Sequence, residues 1–203
     1  MNKKFRNALT FAVAAVIMGP MFSGCKKGDN DPFFSFRSRA GRVEGKWAVS
    51  KGSGTSVDNN QKTTTWTYAN PVYTKVKDGN TSTDSITYTY EFTKDGKFTF
   101  TEIQTENGTT STSTVTGTWN FTDGVGDKPN KSQIILTTGT VTWTMTYNGS
   151  SSSYTSSYTG SNAPVQVYDL DKLANTEMVW KWSDSSTTGS NTSSDSGEWT
   201  LTQ

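Results

Sequence analysis

The sequence contains no histidine and a single cysteine, Cys25, in 203 residues. Histidine is the usual general base of Ser-His-Asp and Cys-His catalytic sites and the commonest protein ligand of zinc, so these classes of site are excluded. A single cysteine can form neither an internal disulfide nor a cysteine cluster for a metal. The formal net charge is only +1, which gives no electrostatic signature of nucleic-acid binding. We therefore expect no bound cofactor and no nucleic-acid partner.

Large aliphatic side chains are also scarce, since the chain has five leucines and five isoleucines. Its 7 Trp, 8 Tyr and 10 Phe residues compensate for them, because each aromatic ring can bury roughly 150–250 Å². Threonine, with 36 residues, favours strands over helices. The composition thus predicts one domain of β-structure with a core built largely from rings.

The longest apolar run of the chain, from Ala8 to Met18, lies near the N-terminus. It follows Lys3, Lys4 and Arg6, and it is too short for a transmembrane helix, which needs about 20 apolar residues. A positively charged start followed by a short apolar segment is typical of an export signal. We therefore expect residues 1–24 to be a signal peptide.

The sequence Phe22-Ser23-Gly24-Cys25 follows this signal and resembles the lipobox of bacterial lipoproteins. The resemblance implies cleavage before Cys25, diacylation of its thiol and acylation of the new N-terminus. Two or more acyl chains anchor a protein stably where one chain binds reversibly. We therefore expect Cys25 to be a lipidation site and the protein to lie in the cell envelope, on the outer membrane. An ordinary signal peptide followed by an incidental cysteine is the alternative.

Residues 26–40 mix charged residues with Gly28 and Pro32 and have no clear period. We interpret residues 25–41 as a lipidated N-terminus and tether. The folded domain is expected to span residues 42–203.

Alternation of apolar and polar residues with a period of two dominates this domain, as in half-buried strands. It is clearest from Ile86 to Phe92, where apolar residues occupy the even positions. The turn at residues 93–96 ends in Gly96, and Phe98 and Phe100 then resume the apolar face, which predicts a hairpin. A second hairpin is expected to pair residues 178–182 with residues 199–201.

The other segments fit the same pattern less clearly. Val72, Thr74 and Val76 indicate a short strand after Pro71. The serine-rich segments at residues 149–157 and 183–196 are interpreted as loops, and Asp171 to Thr176 as a single helical turn. Eight to ten strands joined in sequence order form an antiparallel up-and-down meander. A meander avoids exposed edges by closing into a barrel, so we expect an all-β barrel, with an open sandwich as the alternative.

Gly45-Lys46-Trp47, within Val-Glu-Gly-Lys-Trp-Ala-Val on the first strand, resembles the G-x-W signature of the lipocalin fold. In that fold the Trp closes one end of the barrel, and the resemblance implies this role for Gly45 and Trp47. Residues 91–100, 117–121 and 168–180 also fit the layout of lipocalin-like lipoproteins of Bacteroidetes-type bacteria. The resemblance covers roughly residues 42–203 and implies a lipocalin-like barrel.

Rings on the apolar faces of the strands are the candidate binding residues. An eight-stranded barrel is only just wide enough to be filled by side chains or to hold one small ligand. The rings therefore form either a packed core or the wall of an apolar pocket with phenol and indole donors. The residues concerned are Trp66, Tyr88, Tyr90, Trp119, Trp143, Trp180 and Trp182.

Carboxylates remain as a route to catalysis, since a pair of them can hydrolyse glycosides without histidine. The candidates are expected on turns or outward faces, as is typical of solvated surface, and are Asp84, Glu91, Glu102, Glu106 and Glu177. The loop from Asp123 to Asn130 lacks the spaced ligands of a calcium-binding EF-hand. We therefore predict no catalytic residue, no metal site and no enzymatic activity.

These expectations describe a non-enzymatic, lipid-anchored envelope lipoprotein whose lipocalin-like barrel binds a small apolar or amphipathic ligand. In the alternative, the protein is an accessory interaction module that contacts a glycan or a partner protein through its loops or its outer face.

Overall fold

A computed structural model of the chain describes residues 30–32, 35, 37–122, 132–188 and 191–203. Cys25 and the loop from Asp123 to Asn130 lie outside these residues. The described part contains one five-residue helix, α1 (Arg39–Val43), a 3-10 turn (Gly160–Asn162) and eleven strands. The strands are β1 (Gly45–Val57), β2 (Thr63–Ala69), β3 (Val72–Lys77), β4 (Asn80–Phe92), β5 (Lys97–Glu106), β6 (Thr109–Phe121), β7 (Gln133–Tyr147), β8 (Ser150–Ser157), β9 (Val165–Leu173), β10 (Glu177–Thr188) and β11 (Asn191–Thr202).

The strands form a closed, antiparallel ten-stranded barrel with β8 as one extra strand. Neighbours in sequence are mostly neighbours in the sheet, and β11 returns to pair with β1. The predicted all-β, up-and-down barrel is therefore confirmed.

The two ends of the barrel differ in width. At one end, here called the narrow end, β1 pairs directly with β4, from Gly45 opposite Phe92 to Ala48 opposite Thr89. From Lys51 onwards β1 pairs instead with β2, and the hairpin of β2 and β3 is inserted between β1 and β4. The inserted hairpin widens the barrel towards the opposite end, here called the wide end.

The wall also changes on its other side at the wide end. Strand β7 pairs with β9 as far as Thr137 and with β8 from Thr140 onwards. Beyond Lys181, β10 pairs only with β11. In the described part of the chain, the wide end is therefore unpaired between β8 and the far half of β10.

A core of rings and aliphatic side chains fills the narrow end. Trp47, Phe92 and Trp180 are at most 2% exposed. The Trp180 ring stacks on Tyr168 at a centroid distance of 4.6 Å and meets Tyr90 edge-on at 4.9 Å. Edge-on and offset-stacked pairs of this kind stabilise beyond their buried area. The expectation of a ring-rich core is met at this end.

The barrel's contacts begin before the predicted domain boundary at residue 42. Asp31 is buried, forms an ion pair with Arg39, and lies 3.5 Å from Nη2 of the fully buried Arg42. Its carboxylate also accepts a hydrogen bond from the backbone N–H of Leu173 on β9, at 2.7 Å. Part of the segment predicted as a tether is thus packed against the barrel.

Two predicted loops and the predicted helical turn are wrong. Serine-rich residues 150–157 form strand β8, and residues 183–188 and 191–196 of the other segment lie on the paired strands β10 and β11. Residues 171–173 continue β9 as a strand. Strand β8 and the far halves of β10 and β11 lack an apolar period, because much of their surface is exposed on both faces. Cross-strand hydrogen bonds between hydroxyl groups, such as that of Thr146 with Ser151 at 2.8 Å, replace apolar pairs there.

The short strand expected after Pro71 is present as β3, with its valines facing outward. Tyr73 packs inside the barrel, whereas Val72 and Val76 are 49% and 36% exposed. The pairing with β2 places Tyr73 directly opposite the buried Tyr68. Because directly opposed residues lie on the same face, this pairing turns the valines outward.

Candidate functional site

A pocket of about 280 Å³ occupies the interior of the barrel towards its wide end. It begins above the packed core, where the β2–β3 hairpin has separated β1 from β4. Seven rings contribute to its wall: Trp66, Tyr73, Tyr88, Tyr90, Phe100, Trp182 and Trp199. Polar lining comes from Ser56 and Asp195. Ligand pockets are typically of this kind, mainly apolar with a few placed polar groups.

Three indoles from three strands form a cluster in this wall. The ring centroids of Trp66 and Trp199 lie 4.7 Å apart, and Trp182 lies 5.8 Å from Trp66 and 5.9 Å from Trp199. Period-two alternation places all three on the inner face, since they share it with buried Tyr68, Trp180 and Leu201 of the same strands.

Gly54 and Gly197 have no side chain and so make room for rings of this cluster. A Cβ atom added to Gly54 would overlap the Trp66 ring, and one added to Gly197 would lie 2.6 Å from the Trp182 ring. The indoles therefore lie directly against the backbone of β1 and β11. A larger residue at either position would push a ring into the pocket.

Asp195 is the charged group of the wall. Its carboxylate accepts hydrogen bonds from the Ser56 hydroxyl at 2.6 Å and from the Trp182 indole N–H at 2.7 Å. Both donors are neutral, so they orient the carboxylate without compensating its charge. The ring of Trp182 and the charge of Asp195 are thus held in one arrangement.

Three more carboxylates share the inner face with Asp195, because each lies directly opposite an inner-face residue. Asp84 lies opposite Tyr73, Glu102 opposite Tyr88, and Asp184 opposite Asp195 itself. No ion pair engages any of the four among the described residues. Burial raises the pKa of Glu102, which has no hydrogen-bonding or charged partner in the described part of the chain.

Burial and nearby carboxylates raise the pKa values of two tyrosines in the site. Burial raises the pKa of Tyr73, and the carboxylates of Asp195, Asp84 and Glu102 raise it further. The pKa of Tyr88 is raised in the same way, first by burial and then by Glu102. Their phenols therefore stay protonated at neutral pH and are available as hydrogen-bond donors.

The rings singled out in the sequence divide between this pocket and the core. Trp66, Tyr88, Tyr90 and Trp182 line the pocket. Trp180 is fully buried in the core rather than in the pocket wall. Sequence reasoning did not place Tyr73, Trp199 or Asp195 in a site, although alternation from Leu201 backwards would have put Trp199 and Asp195 on the inner face.

Two other predicted rings lie elsewhere. Trp119 is 8% exposed at the narrow end, where it packs edge-on against Phe92 and donates its indole N–H to the Thr93 carbonyl at 3.1 Å. Trp143 is 43% exposed and lies with Met145 along a groove of about 470 Å³ between β5, β6 and β7. Neither residue lines the pocket.

The Gly45 and Trp47 motif lies at the narrow end. Trp47 is 1% exposed and donates its indole N–H to the Val43 carbonyl at 2.8 Å. Gly45 has φ +129°, and a Cβ atom there would lie 2.7 Å from Nε2 of Gln203, so both conformation and space favour glycine. Beside this motif the ladder between β1 and β4 joins the two strands directly.

The expected outward position of the carboxylates holds for some of them only. Glu91 and Glu177 form ion pairs with Lys46 at 3.7 Å and Lys172 at 2.7 Å. Asp84 and Glu102 instead lie on the inner face, and Glu106 lines the groove beside Trp143. Strands β4 and β5 were predicted correctly, but their inner faces carry carboxylates as well as rings.

Two kinds of feature are absent from the described residues. No group of three or more Asp, Glu, Cys or His side chains there is arranged to hold a metal ion. None of the helices described is long and apolar enough to cross a membrane.

Comparison with known proteins gives no match: no family model fits the chain, and no curated protein or solved structure is similar to it.

Proposed function

We propose that the protein is a non-enzymatic, lipid-anchored protein of the cell envelope whose lipocalin-like barrel binds a small apolar or amphipathic ligand. The observation that carries this proposal is the ring-lined pocket of about 280 Å³ at the wide end. Its volume lies just below the roughly 300 Å³ at which pockets for drug-sized ligands begin, so the ligand is small.

The division between core and pocket supports a binding role. The narrow end is filled by side chains that are almost fully buried, such as Trp47, Trp180 and Leu201. The rings of the wide end are held by backbone contacts at Gly54 and Gly197 and by the hydrogen bond from Trp182 to Asp195. A wall held in place before the ligand arrives loses little conformational freedom on binding.

The test is binding of a panel of lipids, aromatic metabolites and amphipathic amines to the purified domain. We expect a ligand-dependent rise in melting temperature and a change in tryptophan fluorescence. Tyr88→Ala should weaken the binding about tenfold by removing a ring from the wall. Tyr154→Ala is the matched control, because Tyr154 is 70% exposed and lies outside the pocket. Absence of any response across the panel would reject the binding function.

The anchor is tested separately from the pocket. Cys25→Ala should release the protein from the membrane fraction, because the thiol that would carry the diacyl group is lost. Cys25→Ser is a useful second variant, since it preserves size and polarity. A Cys25→Ala protein that still sediments with membranes would contradict lipid anchoring while leaving the pocket unaffected.

The second candidate function is an interaction module, and it is favoured by the exposed rings near β8. Trp143 and Tyr154 lie directly opposite each other on β7 and β8 and are 43% and 70% exposed. Exposed rings among serine and threonine hydroxyls suit stacking and hydrogen bonding to a glycan or a partner protein. Binding on a glycan array that disappears in Trp143→Ala but persists in Tyr88→Ala would favour this function over the pocket.

A further inference from the structure

We infer that the ligand of the wide-end pocket is an organic cation, held by its positively charged group between the rings and the Asp195 carboxylate. This inference rests on the proposed binding function and specifies the chemical class of the ligand.

The first argument is the uncompensated charge of the wall. Asp195 has hydrogen bonds from two neutral donors, Ser56 and Trp182, and no ion pair in the described part of the chain. A buried or half-buried carboxylate is normally paired with a positive group, because loss of hydration is otherwise uncompensated. A cationic ligand would supply the missing positive charge.

The second argument is that no basic side chain among the described residues forms an ion pair with this charge. The sequence has no arginine after Arg42, which is fully buried beside Asp31 outside the pocket wall. Lys77 forms an ion pair with Asp58 at 3.4 Å. Lys75 shares the inner face because it lies opposite Trp66, but it is exposed and does not line the pocket. Glu102 adds a further carboxylate next to Tyr88, and no basic side chain acts on it.

The third argument is the density of rings around the charge. The faces of Trp and Tyr rings carry negative electrostatic potential and attract cations within about 6 Å of the ring centroid. The three indoles of the wall lie within 5.9 Å of one another, and Tyr73 stacks on Trp66 at the same distance. A group of rings beside a carboxylate is the arrangement by which proteins bind quaternary ammonium groups.

Other ligand classes fit the wall less well. A neutral apolar ligand would exclude water from Asp195 and Glu102 and provide no compensating charge. An anion would be repelled by the same groups. A metal ion would need several oxygen ligands that converge on one point, and the described residues contain no such group.

The experiment compares choline with its uncharged isostere, in which a tert-butyl group replaces the trimethylammonium group. The two compounds have almost the same shape, so a difference in affinity reports on charge. We expect choline to bind the purified domain about tenfold more tightly than the isostere, measured by titration calorimetry or by tryptophan fluorescence.

Two variants test whether the effect comes from the carboxylates of the inner face. Asp195→Asn and Glu102→Gln should each reduce the preference for choline severalfold and leave the affinity of the isostere unchanged. Glu102→Gln removes no hydrogen bond among the described residues, so it tests the charge even if Asp195→Asn fails to fold. Glu91→Gln is the matched control, because Glu91 lies outside the pocket wall and pairs with Lys46.

The outcomes separate this inference from the proposed function. Equal binding of choline and its isostere would overturn the cationic ligand and retain the pocket as an apolar site. A preference for choline that survives in both carboxylate variants would also overturn it. If neither compound binds, the inference is wrong, and silence of the whole panel of lipids, aromatic metabolites and amines would reject the binding function as well.

Discussion

At the scale of single residues, this barrel differs from one filled only by rings because some of its charged side chains are buried or half-buried. Asp31 at the N-terminal edge is buried and Glu102 on the inner face is half-buried, but their surroundings also differ. Asp31 is paired with arginines and receives a backbone hydrogen bond, whereas Glu102 has no partner among the described residues. The two carboxylates should therefore contribute to stability with opposite sign.

Asp31→Asn should lower the free energy of unfolding by about 3 kcal/mol, because Arg39 and Arg42 would keep buried positive charge after losing the carboxylate. Burial already lowers the pKa of Arg39, which reflects the cost of its charge in this place. Thermal unfolding should show a melting temperature about 10 °C lower. Glu91→Gln, which removes an exposed ion pair, should change stability by less than about 1 kcal/mol. Equal effects of the two substitutions would contradict the buried ion-pair cluster.

Glu102→Gln should make the protein more stable at neutral pH. Burial raises the pKa of Glu102 in the folded state, so the folded protein binds that proton more tightly than the unfolded chain. The contribution of Glu102 is then most favourable at low pH and is lost as the pH rises through the raised pKa. The advantage of the glutamine variant should therefore disappear below about pH 4, as measured by denaturant unfolding across pH. A variant that is less stable than the parent at pH 7 would refute this account.

At the scale of elements, each strand presents one row of side chains to the interior of the barrel. A glycine in such a row leaves room for a large ring from a neighbouring strand. Gly197 on β11 lies between Asp195 and Trp199 on the inner face, where the rings of Trp182 and Trp66 cover it. Packing of rings against bare backbone keeps the three indoles together while leaving the pocket open.

Gly197→Ala should destabilise the protein by about 2 kcal/mol, because the new methyl group would overlap the Trp182 and Trp66 rings. The displaced rings should also change the tryptophan fluorescence of the folded state. Gly139→Ala is the matched control, since a Cβ atom there meets its nearest neighbour at 3.4 Å, an ordinary contact. Unchanged stability and fluorescence in Gly197→Ala would show that the cluster is looser than described.

The sequence predicts the positions of strands that have one buried face and one solvent-exposed face. The alternation of residues 86–92 and 98–100 predicts the hairpin of β4 and β5, and Ile86, Tyr90, Phe92 and Phe98 are all buried as expected. The prediction fails for β8 and for the far halves of β10 and β11, because strands with two wet faces show no apolar period. In β3, pairing with β2 rather than hydrophobicity selects Tyr73 as the inward residue.

At the scale of the whole molecule, a packed core fills the narrow end of the barrel and the wide end contains the pocket. Close packing around Trp47 and Trp180 accompanies direct pairing of β1 with β4. At the wide end β8 and the far half of β10 each have a single paired neighbour in the described structure. Stability should therefore decrease from the narrow end to the wide end.

Amide hydrogen exchange should reveal this gradient. Amides near Trp47 and Tyr90 should exchange only by global unfolding, and those of β8 should exchange more than about a hundredfold faster. The reason is that opening β8 exposes little apolar surface, as its serine-rich residues are already exposed. Mass spectrometry of peptides from β1 and β8 measures both regions in one sample. Equal protection of the two strands would contradict a graded barrel.

The sequence by itself determined the class of the fold and the classes of chemistry it excludes. Alternating residues impose strands because successive side chains point to opposite faces, and the lack of histidine removes the usual catalytic base and zinc ligand. Only the tertiary structure decided which rings form core and which form pocket. Trp180 and Trp182 lie two positions apart on the same face of β10, yet the first is fully buried and the second lines the pocket beside Asp195. The difference depends on where the β2–β3 hairpin separates β1 from β4, and pairing between strands distant in the chain cannot be read from any local pattern.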